Sequence, residues 1–221
     1  MTLPNLTPQG ADVALDPMAG TLLQTGRVVY SPDYQTDKGS TPRVMQQNGP
    51  DSFARAQAKP GILALDPGTD KTGYCVLMEQ DVMASGVLPN AEMLAYVQRG
   101  HFKVNGHHLA IEMIASYGMP VGREVFETCV WIGRFIQAWG GKAELVYRKD
   151  VKMHLCGTAK AKDGNVRQAI LDLYPRTGGG ATPQVGTKGQ PGPLYGVSTH
   201  AWAALGVALT ARHGMDQERK A

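Results

Sequence analysis

The sequence predicts an α/β domain with a five-stranded mixed β-sheet and helices on both faces. Two apolar runs, at 62–65 and 109–111, each end in an acidic residue, Asp66 and Glu112. The first run is too short for a helix and is bounded by Pro and Gly, which is typical of a buried strand. Around these runs, three strand-like segments follow one another directly, and later strands alternate with helical segments. This order predicts a mixed sheet covered by helices.

Each predicted element rests on a local pattern. Strands are predicted at 61–66, 72–78, 81–87, 107–112 and 143–147, and helices at 90–99, 119–139, 149–155, 163–174 and 198–212. We expect Asn90 to be the N-cap of the first helix and Gly100 to end it. The long second helix ends at Gly140-Gly141. Its apolar residues recur at helical spacing, at Val125, Cys129, Ile132, Phe135 and Ile136.

The predicted domain occupies only part of the chain. Residues 1–60 mix Pro, Gly, Gln, Ser and Thr with few apolar residues. We expect a mostly disordered or loosely packed arm there, because it buries too little apolar surface to offset chain entropy. The folded domain is predicted at 61–214 and a polar tail at 215–221. Residues 177–196 are rich in Gly and Pro and predict a flexible loop.

Composition narrows the class of protein. The chain has 221 residues, 43% of them hydrophobic, and a formal net charge of +3, a weak indication of an acidic partner. Its three cysteines show no CxxC or Cys/His metal spacing, so we expect free thiols in a reducing cytosol. No apolar run is long enough to span a bilayer, and no signal-peptide pattern begins the chain. We therefore expect a cytoplasmic protein without a membrane partner.

The element order is that of the ribonuclease H-like fold. In that layout the first, fourth and fifth strands are parallel neighbours, so Asp66 and Glu112 end adjacent strands and are expected to lie together. Two adjacent carboxylates raise each other's pKa unless a cation intervenes. Their oxygens suit Mg²⁺ or Mn²⁺, which in pairs promote phosphodiester displacement. From spacing alone, Asp66 could instead cap its turn and Glu112 could be a solvated strand end.

Several motifs, in order, resemble the RuvC family of Holliday-junction resolvases. The resemblance covers residues 61–210, and the segment 112–139 is similar to the phage-encoded branch. Its motifs are Asp66-Pro67-Gly68-Thr69, Thr72-Gly73-Tyr74, Ala110-Ile111-Glu112, Tyr147 with Val151-Lys152, Gly157, Ala161-Lys162, Val166 and His200-Ala201-Trp202-Ala203-Ala204-Leu205.

The resemblance implies a site that binds two divalent ions, Mg²⁺ or Mn²⁺. Asp66 and Glu112 match two of the family's four metal-binding acids. The other two acids belong on the last helix, where this sequence has Val197 and His200. A neutral imidazole can bind a metal, so His200 is a candidate third ligand, although it could also be a hydrogen-bonded core residue. Asp163 is a further candidate, for which an N-cap role is the simpler interpretation.

The resemblance also implies residues that contact DNA. Lys162 and Lys152 match basic positions near the scissile phosphate, and Lys162 is a candidate catalytic residue. Lys160 belongs to the same basic cluster. Tyr117 is a candidate for stacking on an unpaired base, or it packs beneath its loop. Arg123 is a candidate phosphate contact. The helix at 119–139 carries surplus apolar surface, which favours a homodimer as in the resembled family.

Three functions follow from these observations. The first is a metal-dependent endonuclease, a crossover junction endodeoxyribonuclease that hydrolyses phosphodiester bonds at four-way or other branched DNA junctions. The second is a module that binds branched DNA but cuts it weakly or not at all, because the last helix lacks its acids. The third is an actin-like ATP-binding domain, which also begins with an acid and a Gly turn. It is disfavoured because 221 residues leave little room for the two domains that such proteins need.

Overall fold

The computed structural model describes residues 60–100, 107–116, 118 and 120–220, together with two short strands near the N-terminus. These are β1 (Thr21–Leu22) and β2 (Val28–Val29), which pair antiparallel. Most of the predicted N-terminal arm lies outside the described residues, and so does Tyr117.

A five-stranded sheet forms the centre of the domain. Its strands are β3 (Ile62–Pro67), β4 (Lys71–Met78), β5 (Asp81–Pro89), β6 (His108–Met113) and β7 (Ala143–Tyr147). They lie in the order β5-β4-β3-β6-β7. The β3–β4 and β4–β5 pairs are antiparallel, whereas the β3–β6 and β6–β7 pairs are parallel. The predicted mixed sheet of the ribonuclease H-like fold is therefore confirmed.

Helices cover both faces of this sheet, as predicted. They are α1 (Asn90–Gln98), α2 (Arg123–Trp139), α3 (Arg148–Cys156), α4 (Asp163–Asp172) and α5 (Ala201–Glu218). One face packs Leu63 and Leu65 of β3 against α1 and α2. The other face packs Ile62 and Ala64 against α3, α4 and α5. Because both faces of β3 are buried, its sequence is a continuous apolar run rather than an alternating one.

Several predicted helix boundaries differ from the structure, most clearly the start of the second helix and the end of the last. The second helix begins at Arg123 rather than at 119, with the extended residue Gly122 in the cap position. Pro120 disfavours helical geometry at 119, the predicted first residue, and Gly122, a poor helix former, is extended directly before Arg123. The last helix runs on to Glu218 instead of ending at 212. Its buried Arg212 donates from Nη2 to the carbonyl oxygen of Pro60 at 2.7 Å and so ties this helix to the start of β3.

Asn90 has a different role from the predicted N-cap. Pro89 occupies the cap position, and Asn90 is buried in the first turn of α1. Its Nδ2 donates to the carbonyl oxygens of Gly68 at 2.9 Å and Thr69 at 3.0 Å. Its Oδ1 accepts from the Thr72 hydroxyl at 2.6 Å. Asn90 therefore takes the place of water as the hydrogen-bond partner of the β3–β4 turn. This turn closely follows Asp66.

The segment 177–196 contains no helix or named strand, but it is folded on itself rather than extended as a flexible loop. The amide of Gly178 donates to Pro183 O at 2.8 Å, and the amide of Gly192 donates to Val185 O at 3.0 Å. A Cβ at either glycine would lie within 2.7 Å of backbone atoms. The close backbone approach explains the glycines that suggested flexibility, and Leu194 anchors the segment in the core.

Replacing Asn90 should destabilise the domain. Asn90→Ala leaves the carbonyl groups of the β3–β4 turn without their buried donor, which costs about 1–3 kcal/mol. Urea unfolding followed by circular dichroism measures the loss. The exposed neighbour Glu92 provides the control, since Glu92→Ala removes no such bond. A loss in Asn90→Ala no larger than in the control would contradict the bracing role.

Candidate active site at the carboxyl ends of β3 and β6

The parallel pairing of β3 and β6 brings two acidic side chains together. Leu65 is the register partner of Ile111, so the residues that follow, Asp66 and Glu112, leave the sheet side by side. Their side chains are only 19% and 15% exposed. The two carboxyl groups are close enough to shift each other's pKa. Glu112 is therefore not the solvated strand end that its position also allowed.

Burial gives both carboxyl groups unusual acidity. Desolvation raises the pKa of Asp66 to about 6, although Glu112 and Arg148 act in the opposite direction. Desolvation and then repulsion by Asp66 raise the pKa of Glu112 to about 7. The Oε2 atom of Glu112 is buried without a hydrogen-bond partner. The pair is thus a poorly hydrated, electron-rich site whose repulsion the nearby Arg148 offsets only in part.

Arg148 is the residue of this site that the sequence analysis placed in no specific role. It begins α3 directly after β7, and β7 lies parallel to β6. Its Nη1 lies 3.7 Å from Glu112 Oε2, and its Nη2 donates to Asp163 Oδ1 at 2.8 Å. The signal was present, because a basic residue just after the strand beside β6 must lie near Glu112.

His200 approaches the acids from the other side. Its Nδ1 lies 3.6 Å from Asp66 Oδ2, and its side chain is 72% exposed, so it is not a core histidine. Gly73, the register partner of Asp66, permits this approach, because a Cβ there would lie 2.6 Å from the carbonyl oxygen of His200. The preceding residue, Thr199, has φ of 40°, a conformation that a threonine adopts only at some energetic cost.

Asp163, the further candidate ligand, is held by basic residues beside the acids. Asp163 is not the N-cap of α4; Lys162 occupies that position, and its amide donates to Asn165 Oδ1 at 3.0 Å. Instead, Asp163 pairs with Arg148 and lies 3.8 Å from Lys152 Nζ. These cations hold the pKa of Asp163 below its usual value, the hydrogen bond from Arg148 being the largest effect.

The other candidates that the structure describes do not contact the paired acids. Lys160 and Lys162 are exposed, and Arg123 is ion-paired with Glu127 one turn along α2. Val197 is buried in the core, so it cannot replace the acid that the resembled family has at this position. Tyr117 lies outside the described residues.

The donor atoms fit a hard divalent cation bound through two carboxylates. Asp66 and Glu112 supply oxygens, one of them buried and unpaired, and an ion would remove the repulsion that raises their pKa values. Side chains alone do not supply a complete set of ligands. Among the side chains that the structure describes, no group of three or more His, Cys, Asp or Glu is arranged to hold a metal ion. Water or a phosphate oxygen would have to complete the coordination, as Mg²⁺ commonly requires.

Comparison of the structure with known proteins identifies its fold. The structure of T. thermophilus RuvC in complex with Holliday junction substrate matches with a TM-score of 0.51 at 18% identity, covering 71% of this chain and 97% of that one. The chain has a RuvC-like fold. A further Thermus thermophilus RuvC structure aligns with a TM-score of 0.47 at 17% identity, over 70% of this chain and 96% of that one. No protein-family model and no curated protein sequence matches the chain.

The paired acids should make the metal-free protein less stable as pH rises. Their pKa values, about 6 and about 7 when folded, exceed the ordinary values of 3.8 and 4.5. The folded state therefore binds more protons than the unfolded state between about pH 4 and pH 7, and stability is lost across that range. The loss should amount to several kcal/mol, because each pKa unit corresponds to about 1.4 kcal/mol. Urea unfolding in EDTA at pH 5 and pH 7.5 measures it.

Asp66→Asn is the matched variant for this measurement. It removes one acid and most of the repulsion on the other, so its stability should change less between the two pH values. His108 and His154, whose pKa values burial lowers, contribute equally in both proteins and cancel in the comparison. Equal pH dependence in wild type and variant would show that the pair is not strained by burial.

Proposed function

We propose that this protein is a metal-dependent, structure-selective endonuclease that hydrolyses phosphodiester bonds in four-way or other branched DNA. The observation that carries the proposal is the buried Asp66–Glu112 pair at the carboxyl ends of two parallel strands. Ligands of such sheets bind at this edge. The RuvC-like fold agrees with it, since the similar T. thermophilus structure is described as a complex with a Holliday junction substrate.

Asp66 and Glu112 are the proposed ligands of Mg²⁺ or Mn²⁺, and His200 is a third on the side of Asp66. Divalent ions held there would activate water and neutralise charge during phosphodiester hydrolysis, with two ions as the proposed complement. Asp66 has Glu112 on one side and His200 on the other, which supports the proposal that it would bind both ions. The neutral imidazole donates less strongly to a hard cation than a carboxylate does, which favours Mn²⁺ at that side.

The cations around the acids are proposed to act on the phosphate. Lys162 is the proposed catalytic lysine, stabilising charge that develops at the reacting phosphate. Arg148 lies 3.7 Å from Glu112 Oε2 and favours the ionised form of the pair. Lys152, Lys160, Arg123 and Tyr117 are proposed DNA contacts, the lysines and the arginine with phosphates and the tyrosine with a base.

The exposed face of α2 is the proposed site of homodimer formation. Phe126 and Val130 are both 62% exposed and lie one turn apart on the same face of the helix. Leaving two large apolar side chains in water is unfavourable, and a second copy of the chain would cover them. A two-fold dimer would place two sites on symmetry-related strands of a four-way junction.

The cellular setting is also a proposal. Among the described residues, no helix combines the length and apolar character needed to cross a membrane. A substrate of branched DNA agrees with action in the cytoplasm, or in the cytoplasm of a bacterial host if the chain is phage-encoded. The similarity of the segment 112–139 to the phage-encoded branch is the basis for the second possibility.

A branched-DNA binding module is the second candidate function. Two observations favour it over an efficient nuclease: Val197 is buried where the resembled family has an acid, and His200 is largely exposed. Only two carboxylates then converge. The actin-like alternative has no support in the described residues, which form one five-stranded sheet with its helices and no second domain of this kind.

Replacing Asp66 should separate cutting from binding. Asp66→Asn removes one of two anionic metal ligands, so cleavage of a synthetic four-way junction in Mg²⁺ or Mn²⁺ should fall at least about 100-fold. Junction affinity in EDTA should stay the same or rise, because a negative charge is removed. Asp70→Asn is the control, since Asp70 is exposed and lies in the same turn. Cutting by Asp66→Asn at the wild-type rate would show that the proposed site is misplaced, whereas binding without cutting by wild type would reject the nuclease and favour the binding module.

Two variants of His200 test its proposed role as a ligand. His200→Asp supplies a harder oxygen donor and should preserve or improve cutting in Mg²⁺, whereas His200→Ala should cut more slowly. The assay compares both variants with wild type in Mg²⁺ and in Mn²⁺. Complete loss of cutting by His200→Asp would contradict the ligand role and indicate a function specific to imidazole.

Placing a charge on the exposed face of α2 should prevent dimer formation. Val130→Glu adds a carboxylate to a surface that a dimer would bury without a partner for it. Analytical ultracentrifugation should give a dimer for wild type and a monomer for the variant. Leu173→Glu is the matched control, because Leu173 is 55% exposed at the end of α4, across the sheet from α2. A wild-type monomer, or a Val130→Glu dimer, would overturn the proposed interface.

A further inference from the structure

A groove of about 680 Å³ opens beside the paired acids, between α4 and the start of α5. Its polar lining includes Arg148, Arg167 and His200, and Trp202 forms part of one wall. Two of these residues also border the candidate active site, since Arg148 lies 3.7 Å from Glu112 and His200 lies 3.6 Å from Asp66. The groove is therefore continuous with the place where hydrolysis is proposed.

The side chains of the groove favour an anion. Its one acidic residue among those described, Asp163, is already paired with Arg148 at 2.8 Å and lies 3.8 Å from Lys152. Arg167, by contrast, has no carboxylate partner among the described residues, and its guanidinium lies over the Trp202 ring at 4.8 Å from the centroid. The charge of Arg167 is thus available to a ligand in the groove.

Stacking on Trp202 determines how Arg167 can bind. A guanidinium that lies on an aromatic face keeps its N–H groups at its edge, where they can form two parallel bonds to a phosphate. Trp202 is itself held by packing against the core beneath α5. The guanidinium is therefore restrained before a ligand arrives, so less side-chain entropy is lost on binding.

The size of the groove limits what can enter it. A volume of about 680 Å³ is in the range of sites that take one drug-sized ligand. One nucleotide unit of a single strand fits that range, whereas a duplex does not. The groove shares Arg148 and His200 with the surroundings of the paired acids, so a strand bound in it would lie next to the proposed reaction site.

We infer that this groove binds the backbone of one DNA strand next to the bond that is cut, with Arg167 contacting a phosphate and Trp202 positioning Arg167. The inference rests on the proposed function for its link to cutting. The interaction between Arg167 and a phosphate can be measured without cutting. Arg167 and Trp202 would thus hold the DNA strand, whereas Asp66 and Glu112 would act at the bond that is cut.

Binding of a fluorescein-labelled single-stranded oligonucleotide in EDTA tests the phosphate interaction. Arg167→Gln should weaken binding about 5–10-fold, and the dependence of log affinity on log salt should become shallower by roughly 0.7, as expected when a single phosphate is no longer neutralised. Arg219→Gln is the matched control. It removes the same charge at the far end of α5, an 18-residue helix about 27 Å long whose first turn holds Trp202. Equal effects of the two variants would overturn the inference, and so would the absence of oligonucleotide binding by wild type.

A double-mutant cycle tests the positioning role of Trp202. Trp202→Leu keeps an apolar side chain but removes the ring under the guanidinium. If Trp202 positions Arg167, then Arg167→Gln should cost clearly less affinity in the Trp202→Leu background than in wild type. Equal costs in the two backgrounds would overturn the positioning role.

The results distinguish this inference from the proposed nuclease. Weaker oligonucleotide binding by Arg167→Gln, together with a wild type that cuts no junction in Mg²⁺ or Mn²⁺, would support the groove and reject the nuclease. Junction cutting by wild type, together with unchanged binding by Arg167→Gln, would reject the groove and keep the nuclease.

Discussion

The site depends on one constraint: parallel pairing of β3 with β6 forces Asp66 and Glu112 into the same poorly hydrated position. Two carboxyl groups in such a place repel each other and lose hydration, so both pKa values rise. A sheet gains nothing in stability from that arrangement. The arrangement is the observation on which the proposed cation site and its phosphate chemistry rest.

The surrounding structure holds this unfavourable arrangement in place. Asn90 fixes the turn after Asp66 through three hydrogen bonds, and Gly73 leaves room for the backbone of His200. Neither residue carries the proposed chemistry, yet both determine where the chemical groups lie. Buried hydrogen bonds and close backbone packing are suited to this task, because each is costly to break.

The charges near the site form a second level of organisation. Arg148 contacts Glu112 and Asp163 together, so it moderates the acids on one side and neutralises an acid of the groove on the other. The guanidinium of Arg167 lies over the Trp202 ring and has no carboxylate partner in the described part of the chain. The modest net charge of +3 hides this local distribution, because the balance of the whole chain says little about charge beside a particular groove.

The sequence alone determined the order of the strands along the chain and the acids at the ends of β3 and β6, because short apolar runs and turn residues are local signals. It also located His200, through a motif rather than a contact. Only the tertiary structure decided that Asn90 braces a turn instead of capping a helix, that Arg148 reaches Glu112, and that Arg167 lies over Trp202. Such contacts join residues that are distant in the chain, and their partners depend on how helices pack across a sheet, which no local pattern encodes.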